Sequence, residues 1–346
     1  MQSENASSTL AELGWRGFFS RQVSTEEYQS FVPVRVMAVH RGMVSVLGAE
    51  VDASITSVLP SSEGPEDRPT VGDWLLMVRD SLTPVRLLER SSLFKRLAPG
   101  DDQRVQLIAA NVDTLFVVTS CNEDFNIARL ERYLVLARQA GVRPVVVLTK
   151  ADLATDTEHF AKATKALDST LDVELINGQD RQSVARLAEY CRRGETVALV
   201  GSSGVGKSTL INTLRGSDSI QTQAVRESDG KGLHTTTVRQ MHRLGAGSES
   251  RGWLVDTPGM RELQMSEVSS GVAEVFDDIV AATLNCRFAD CTHSQEPGCA
   301  VRAAIVGAEF TFARFERWKK LTAENRVNTD AAAVRLARSA KRRRRN

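Results

Sequence analysis

The sequence predicts a multidomain chain: a small N-terminal β-barrel, a central open α/β domain built on a phosphate-binding loop, and a C-terminal α-helical module with a metal-type cysteine cluster. Three observations predict it. Short alternating apolar segments fill residues 31 to 98; near-continuous apolar strands alternate with helical periods from roughly 100 to 265; and three of the five cysteines crowd between Cys286 and Cys299. With 42% hydrophobic and 25% charged residues, the 346-residue chain has an ordinary globular composition and room for about two or three domains.

Residues 1–30 form a polar N-terminal extension in which "LGWRGFF" can dock as an apolar anchor. From 31 to 98, "PVRVMAVH" and "MVSVLG" alternate around Arg41-Gly42, "VGDWLLMV" and "PVRLLER" follow, and "PSSEGPEDRP" breaks the series. Four or five short strands in this span suit a small antiparallel barrel. The oligonucleotide-binding (OB) barrel is one such size class and an SH3-like module another, and periodicity does not separate them.

Residues 99–268 alternate strand and helix. "TLFVVTS", "RPVVVLT", "VELI" and "TVALV" read as buried strands. "IARLERYLVLARQAG" places Ile127, Leu130, Leu134 and Ala137 at helical spacing and ends on Gly141, and "RQSVARLAEYC" reads as another helix. A parallel sheet covered on both faces follows from this pattern. Residues 269–325 begin with "VAEVFDDIVAATL", helical by Val272, Val275, Phe276, Ile279 and Val280, and continue through the cysteine cluster. The basic tail, 326–346, ends in "ARSAKRRRRN", a run that repels itself and resists packing. From residue 311 onward twelve Lys/Arg face only Glu316, Glu324 and Asp330, so the remainder of a chain of net charge +1 is acidic. Such an arm reads as a solvated, disordered tail, compatible with a grip on RNA or another polyanion.

The strongest motif is "GSSGVGKST", which fits G-x-x-x-x-G-K-[ST]. Gly201, Ser202, Ser203, Gly204, Val205 and Gly206 form the loop, Lys207 reaches the β- and γ-phosphates, Ser208 takes a Mg²⁺ position, and Thr209 follows. A strand precedes the loop and a helix follows it, as a phosphate cradle requires. Further along, "WLVDTPG" ends a strand on Asp256, a Mg²⁺ ligand through water, with Gly259 offering an amide to the γ-phosphate. Between them "GLHTTTV" offers Thr235, Thr236 and Thr237; Thr236 is taken as the residue that closes the Mg²⁺ shell. Upstream lies "TKAD". Asp152 accepts two hydrogen bonds from the N1–H and 2-amino group of guanine, which adenine lacks, and Lys150 lies along the base plane. The usual first residue of this motif is Asn; Thr149 has a hydroxyl but no amide. These are the pieces of a GTPase in permuted order, the second half preceding the first, as a compact domain with neighbouring ends tolerates.

The chain resembles the circularly permuted small-ribosomal-subunit biogenesis GTPases, the RsgA (YjeQ) family. The resemblance rests on "VGDW", "LLERSSLFKR", "NVDTLFVVTS", "NIARLERYL", "TKADL", "GSSGVGKSTLIN", "GLHTTTV", "DTPGMREL" and "CTHSQEPGCAV", over roughly residues 31 to 320. It implies an RNA-binding OB barrel, a permuted P-loop GTPase domain and a C-terminal zinc-binding helical domain. Together these bind the small subunit and its rRNA in late maturation, with hydrolysis stimulated by the subunit. The chain departs from the family at Thr149 and around "INGQD", where Asn177 and Gly178 are the candidates for the guanine-side loop.

Met260 stands where many GTPases carry a water-orienting glutamine, so the water is positioned otherwise. His234 is the nearest titratable group, and the resemblance supports it as catalytic beside Lys207 and Gly259; the other reading is a surface-loop histidine. In "CRFADCTHSQEPGC", Cys286, Cys291, His293 and Cys299 make a closed tetrahedral set, the signature of one structural Zn²⁺. A disulfide with bystanders is the other reading. Cys121 and Cys191 read as core or helix residues. The start, "MQSENASSTL", shows no basic region followed by an apolar run, and no stretch reaches about 18 apolar residues, so a cytoplasmic monomer without a membrane partner is expected. Two other functions fit less of the pattern: an RNA-binding scaffold with a degenerate nucleotide site, opposed by Lys207, Ser208 and Asp256, and a P-loop ATPase or kinase, opposed by Asp152.

Overall fold

The computed structural model describes residues 9–40, 42–60, 64–97, 105–215, 239–244, 252–256 and 268–343. The chain divides into two compact units, Met1–Phe125 with Gly141–Leu263 and Asn126–Ala140 with Gln264–Asn346.

The first unit opens with two short helices, α1 (Gly17–Ser20) and α2 (Thr25–Ser30). Ser24 caps α2 reciprocally: its hydroxyl accepts from the Glu27 amide while the Glu27 carboxylate accepts from the Ser24 amide. The "LGWRGFF" stretch of this segment docks into the core. Leu13 and Phe19 are fully buried, and Trp15 stacks on Phe19 and meets Trp74 edge-on at 4.8 Å.

Strands β1 (Phe31–Val39), β2 (Met43–Leu47), β3 (Asp52–Thr56), β4 (Trp74–Val78) and β5 (Pro84–Leu87) follow. β1 is central, antiparallel to β2 and to β4, with a bulge between Val36 and Ala38. Val34, Val36, Val44, Val46, Ile55, Leu59, Leu75 and Met77 fill one apolar core between them. Among the described residues β3 and β5 do not pair, so no ladder closes these strands into a barrel. β6 (Leu93–Leu97) and β7 (Val105–Ala110) form a separate antiparallel pair.

The α/β part consists of β8 (Thr114–Ser120), α3 (Ile127–Gln139, which belongs to the second unit), β9 (Arg143–Thr149), α4 (Thr157–Lys165), β10 (Asp172–Ile176), α5 (Arg181–Ala185), β11 (Thr196–Val200), α6 (Lys207–Arg215), β12 (Arg239–Arg243) and β13 (Trp253–Asp256). The sheet order is β10-β9-β8-β11-β13-β12, parallel except for β12. β11, which carries the glycine loop, therefore lies between a strand from far earlier in the chain and one from later. This is the strand order of a doubly wound sheet entered at its second half. The continuous apolar runs are explained by burial on both faces: Phe116, Val145 and Val197 are fully enclosed on one, and Leu115, Val146 and Ala198 on the other.

The sheet does not stop at β12. Its outer edge pairs with β1 through Ala38↔Gln240 and Val39↔Arg239, giving one eleven-stranded sheet that continues into the N-terminal strands. Arg35 on β1 reinforces this continuity. Its guanidinium is buried and donates to the carbonyls of Leu13, Gly72 and Asn111 and to the Thr196 hydroxyl. Burial pulls its pKa down to about 10.

The second unit consists of α3, α7 (Ser269–Val275), α8 (Asp277–Leu284), α9 (Ala300–Val306) and α10 (Phe312–Arg343), with α3 packed on α7. The expected single helix over 272–284 breaks at fully buried Phe276, whose φ of −119° leaves the helical region. Gly271 permits close approach, since a Cβ there would sit 2.3 Å from the Val135 carbonyl oxygen of α3. α10 runs on to Arg343 where a disordered tail was expected; the Ala, Leu, Arg and Lys of "AAAVRLARSAKRR" are all strong helix formers. Glu131 of α3 is fully buried and accepts from both Arg314 and Arg317 of α10, while Arg132 pairs with both oxygens of Glu324 at 2.7 Å. Glu131→Ala is expected to destabilise this unit by about 3 kcal/mol, because two arginines lose a buried partner. A loss below about 1 kcal/mol in denaturant unfolding would reduce the pair to surface strength.

Candidate functional site

The carboxyl ends of β9, β8, β11 and β13 share one edge of the sheet. Ligands of doubly wound folds bind at such an edge, where the strand order reverses. Here the reversal falls between β8 and β11. Gly201 leaves β11 with φ +147°, and a Cβ on it would lie 2.2 Å from the Val118 carbonyl of β8. Gly204 (φ +80°) and Gly206 (φ +91°) complete a turn that no other residue makes without strain. Val205, fully buried, pins the loop to the core, while Ser203 and Gly204 lie exposed at its rim. Lys207 opens α6, and its ammonium donates to the Gly201 carbonyl at 2.7 Å and to the Ser202 carbonyl, so the cation lies across the loop. Ser208 and Thr209 follow in the first turn of α6, where helix-terminal N–H groups favour an anion.

β9 delivers the second loop. Thr149, its last residue, pairs with Ser120 of β8 and is buried. Its hydroxyl lies 2.6 Å from the Val205 carbonyl of the glycine loop and 3.2 Å from the Thr119 carbonyl. Lys150 adopts the left-handed conformation (φ 56°, ψ 31°), a local cost of the kind concentrated at functional loops. Asp152 sits exposed in the turn Ala151–Leu153. After β10, the Gly178 carbonyl accepts from Thr213 of α6, and Asn177 accepts from the Gln179 amide, so the guanine-side candidates also reach this edge. Asp256 ends β13 beside β11. The Asp256 side chain lies outside the described residues, as do His234, Thr235, Thr236, Thr237, Gly259 and Met260.

The second unit gathers the other set. The ligand atoms of Cys286, Cys291, His293 and Cys299 all lie within 4.8 Å of one another. His293 Nδ1 is 3.6 Å from the sulfurs of both Cys286 and Cys299. Zn–S bonds of about 2.3 Å and a Zn–N bond of about 2.0 Å on a tetrahedron separate N and S by about 3.5 Å, so the two His293 contacts fit such an ion. His293 holds a left-handed backbone (φ 59°), and its ring packs against Phe315 and Trp318 of α10. Sequence reasoning missed Glu296. Its carboxylate accepts from the Thr292 hydroxyl and from the amides of Thr292, Ser294 and Gln295, tying down the turn that carries His293. These hydrogen bonds, led by the Thr292 hydroxyl, hold its pKa down at about 2. Cys121 and Cys191 are buried and stand apart from the cluster, as expected. No helix among the described residues is long and apolar enough to cross a membrane.

A family model described as RsgA GTPase matches residues 87–266. The chain is 44% identical over 337 residues to "Small ribosomal subunit biogenesis GTPase RsgA 2" of Vibrio parahaemolyticus serotype O3:K6, covering 97% of this chain and 91% of that protein. Two solved structures share the fold. YjeQ from Thermotoga maritima aligns with a TM-score of 0.61 at 24% identity, over 85% of this chain and 98% of its own. YloQ, whose description is a circularly permuted GTPase, aligns with a TM-score of 0.58 at 23% identity, over 87% and 97%.

Proposed function

This chain belongs to the RsgA GTPase family, and we propose that it hydrolyses GTP to GDP and phosphate while bound to the small ribosomal subunit, acting in that subunit's late maturation. One observation carries the chemical part. The glycine loop and the Thr149–Asp152 loop, 50 residues apart in inverted order, meet at one sheet edge through a direct side-chain contact. In this reading the loop amides of Gly201–Gly206 cradle the phosphates, Lys207 neutralises charge growing on the β- and γ-oxygens, and Asp152 selects guanine. Ser208, Thr236 and Asp256 would hold Mg²⁺, which supplies Lewis-acid charge neutralisation. The Gly259 amide meets the γ-phosphate, and His234 positions or deprotonates the attacking water in place of a glutamine. The cysteine-histidine set would hold one structural Zn²⁺.

The N-terminal strands are taken as an OB-type surface for rRNA, and the basic end of α10 as a further phosphate grip. The proposed domains are 31–98, 99–268 and 269–325, flanked by the extension and tail, in a cytoplasmic monomer.

Turnover of GTP and ATP by wild type and Asp152→Asn tests the base assignment. GTP is expected to be favoured at least about a hundredfold, and the substitution to erode that preference tenfold or more. Equal use of the two nucleotides by wild type would contradict it. His234→Ala is expected to lower subunit-stimulated turnover by about a hundredfold with GTP affinity unchanged. Undiminished stimulated turnover would remove His234 from the mechanism.

A further inference from the structure

We propose that Thr149 is a positioning residue that acts on the phosphates through the glycine loop and makes no contact with the base. This rests on the reading of Gly201–Ser208 and Lys150–Asp152 as the nucleotide site. A threonine hydroxyl has one proton to donate. Here that proton faces two carbonyl oxygens, Val205 at 2.6 Å and Thr119 at 3.2 Å, in a side chain that is only 2% exposed. The shorter contact takes it, and the second carbonyl is the nearest alternative. Nothing remains to offer an acceptor on the base.

The contact with Val205 has a geometric consequence. No peptide bond among the described residues is cis, so the Val205 carbonyl and the Gly206 amide of the same planar unit point in opposite directions. Holding the carbonyl toward β9 turns the Gly206 N–H to the other side of the loop, toward an anion seated in it. Gly206 itself, at φ +91°, has rotational freedom that a fixed neighbouring carbonyl removes. The Gly206 Cα lies against the threonine, a Cβ there falling in ordinary contact at 3.7 Å from Thr149 Oγ1, so the glycine is required by its backbone conformation and not by space. The base loop and the phosphate loop are thereby coupled by a single hydrogen bond.

Two consequences for specificity follow. Guanine presents N7 as an acceptor on its imidazole ring, away from the N1–H and 2-amino donors. With the Thr149 proton committed to the backbone, this residue cannot read N7, and discrimination rests on the Asp152 side of the base. An asparagine in its place would have two amide protons, enough to serve a carbonyl and a base acceptor together.

The test is titration calorimetry of the full chain with GDP, GTP, ADP and 7-deaza-GDP, for wild type, Thr149→Val and Thr149→Ser. Valine keeps the volume and removes the proton, and it is expected to weaken GDP and GTP alike by about tenfold. Serine restores the proton and is expected to return affinity to within about threefold of wild type. The preference for guanine over adenine should be the same in all three, which a general loss of packing at the site would not preserve. 7-deaza-GDP should bind wild type as GDP does. Wild-type affinity in Thr149→Val would overturn the proposal, as would a penalty for 7-deaza-GDP that wild type shows and Thr149→Val lacks. Failure of wild type to bind GDP or GTP would instead overturn the nucleotide-site reading beneath it.

Discussion

Replacing Lys207 with alanine is expected to lower kcat/KM for GTP by about a thousandfold, with the fold intact. The ammonium already lies across the glycine loop, tethered to the Gly201 and Ser202 carbonyls, so a phosphate entering the loop meets a positioned cation. A buried, oriented charge of this kind is worth far more in the transition state than a mobile surface lysine. The size of the effect separates the two roles: a loss below about tenfold would mean that the ammonium is a structural tether for the loop. Lys207→Arg is expected to recover little, because the longer planar fork does not fit a position held by two loop carbonyls.

Removing the metal is the second large effect. Zinc analysis of purified chain is expected to return one ion per chain, and Cys299→Ser to lose it. Structural Zn²⁺ sites contribute apparent binding energies of about 10 kcal/mol or more to folding. Here the ligands span the turn between α8 and α9, and His293 among them packs against Phe315 and Trp318 of α10. Chelation should therefore release hydrogen-exchange protection across α8, α9 and the start of α10, while β8, β9 and β11 keep theirs. Unchanged protection after complete metal removal would make the site dispensable for folding. A milder version of the same experiment uses Glu296→Ala, which leaves the four ligands in place and cuts the hydrogen bonds that fix the turn around His293. Zinc affinity should fall by about tenfold.

Much of the site was legible because its chemistry is local. Gly201, Gly204 and Gly206 announce left-handed backbone, Lys207 and Ser208 follow at fixed spacing, and four metal ligands fall within one short loop. The permuted order was legible too, since it needs only the sequence of motifs. What local pattern did not carry was long-range pairing. β12, "RQMHR", has neither strong alternation nor a continuous apolar run, and becomes a strand because β13 on one side and β1 on the other supply partners. The extension's "LGWRGFF" reads as an anchor but does not name its partners: Leu13 and Phe19 are core residues and Arg35 ties the extension's backbone to β11. Glu131 reads as the polar face of an amphipathic helix and is instead the buried centre of an ion-pair network with α10. In each case the deciding partner is more than 100 residues away or belongs to another motif.

That network also changes how the chain divides. α3 connects β8 to the strand that ends on Thr149, and it packs as part of the unit that holds the cysteine cluster. The chain therefore crosses between the two units at both ends of α3 as well as after β13.

The central claim is that GTP hydrolysis here serves the small ribosomal subunit. Steady-state GTP turnover by the full chain, measured alone, with purified small subunits and with purified large subunits, addresses it most directly. The account predicts a rise of at least about tenfold with small subunits and none with large ones. An identical rate under all three conditions would contradict it.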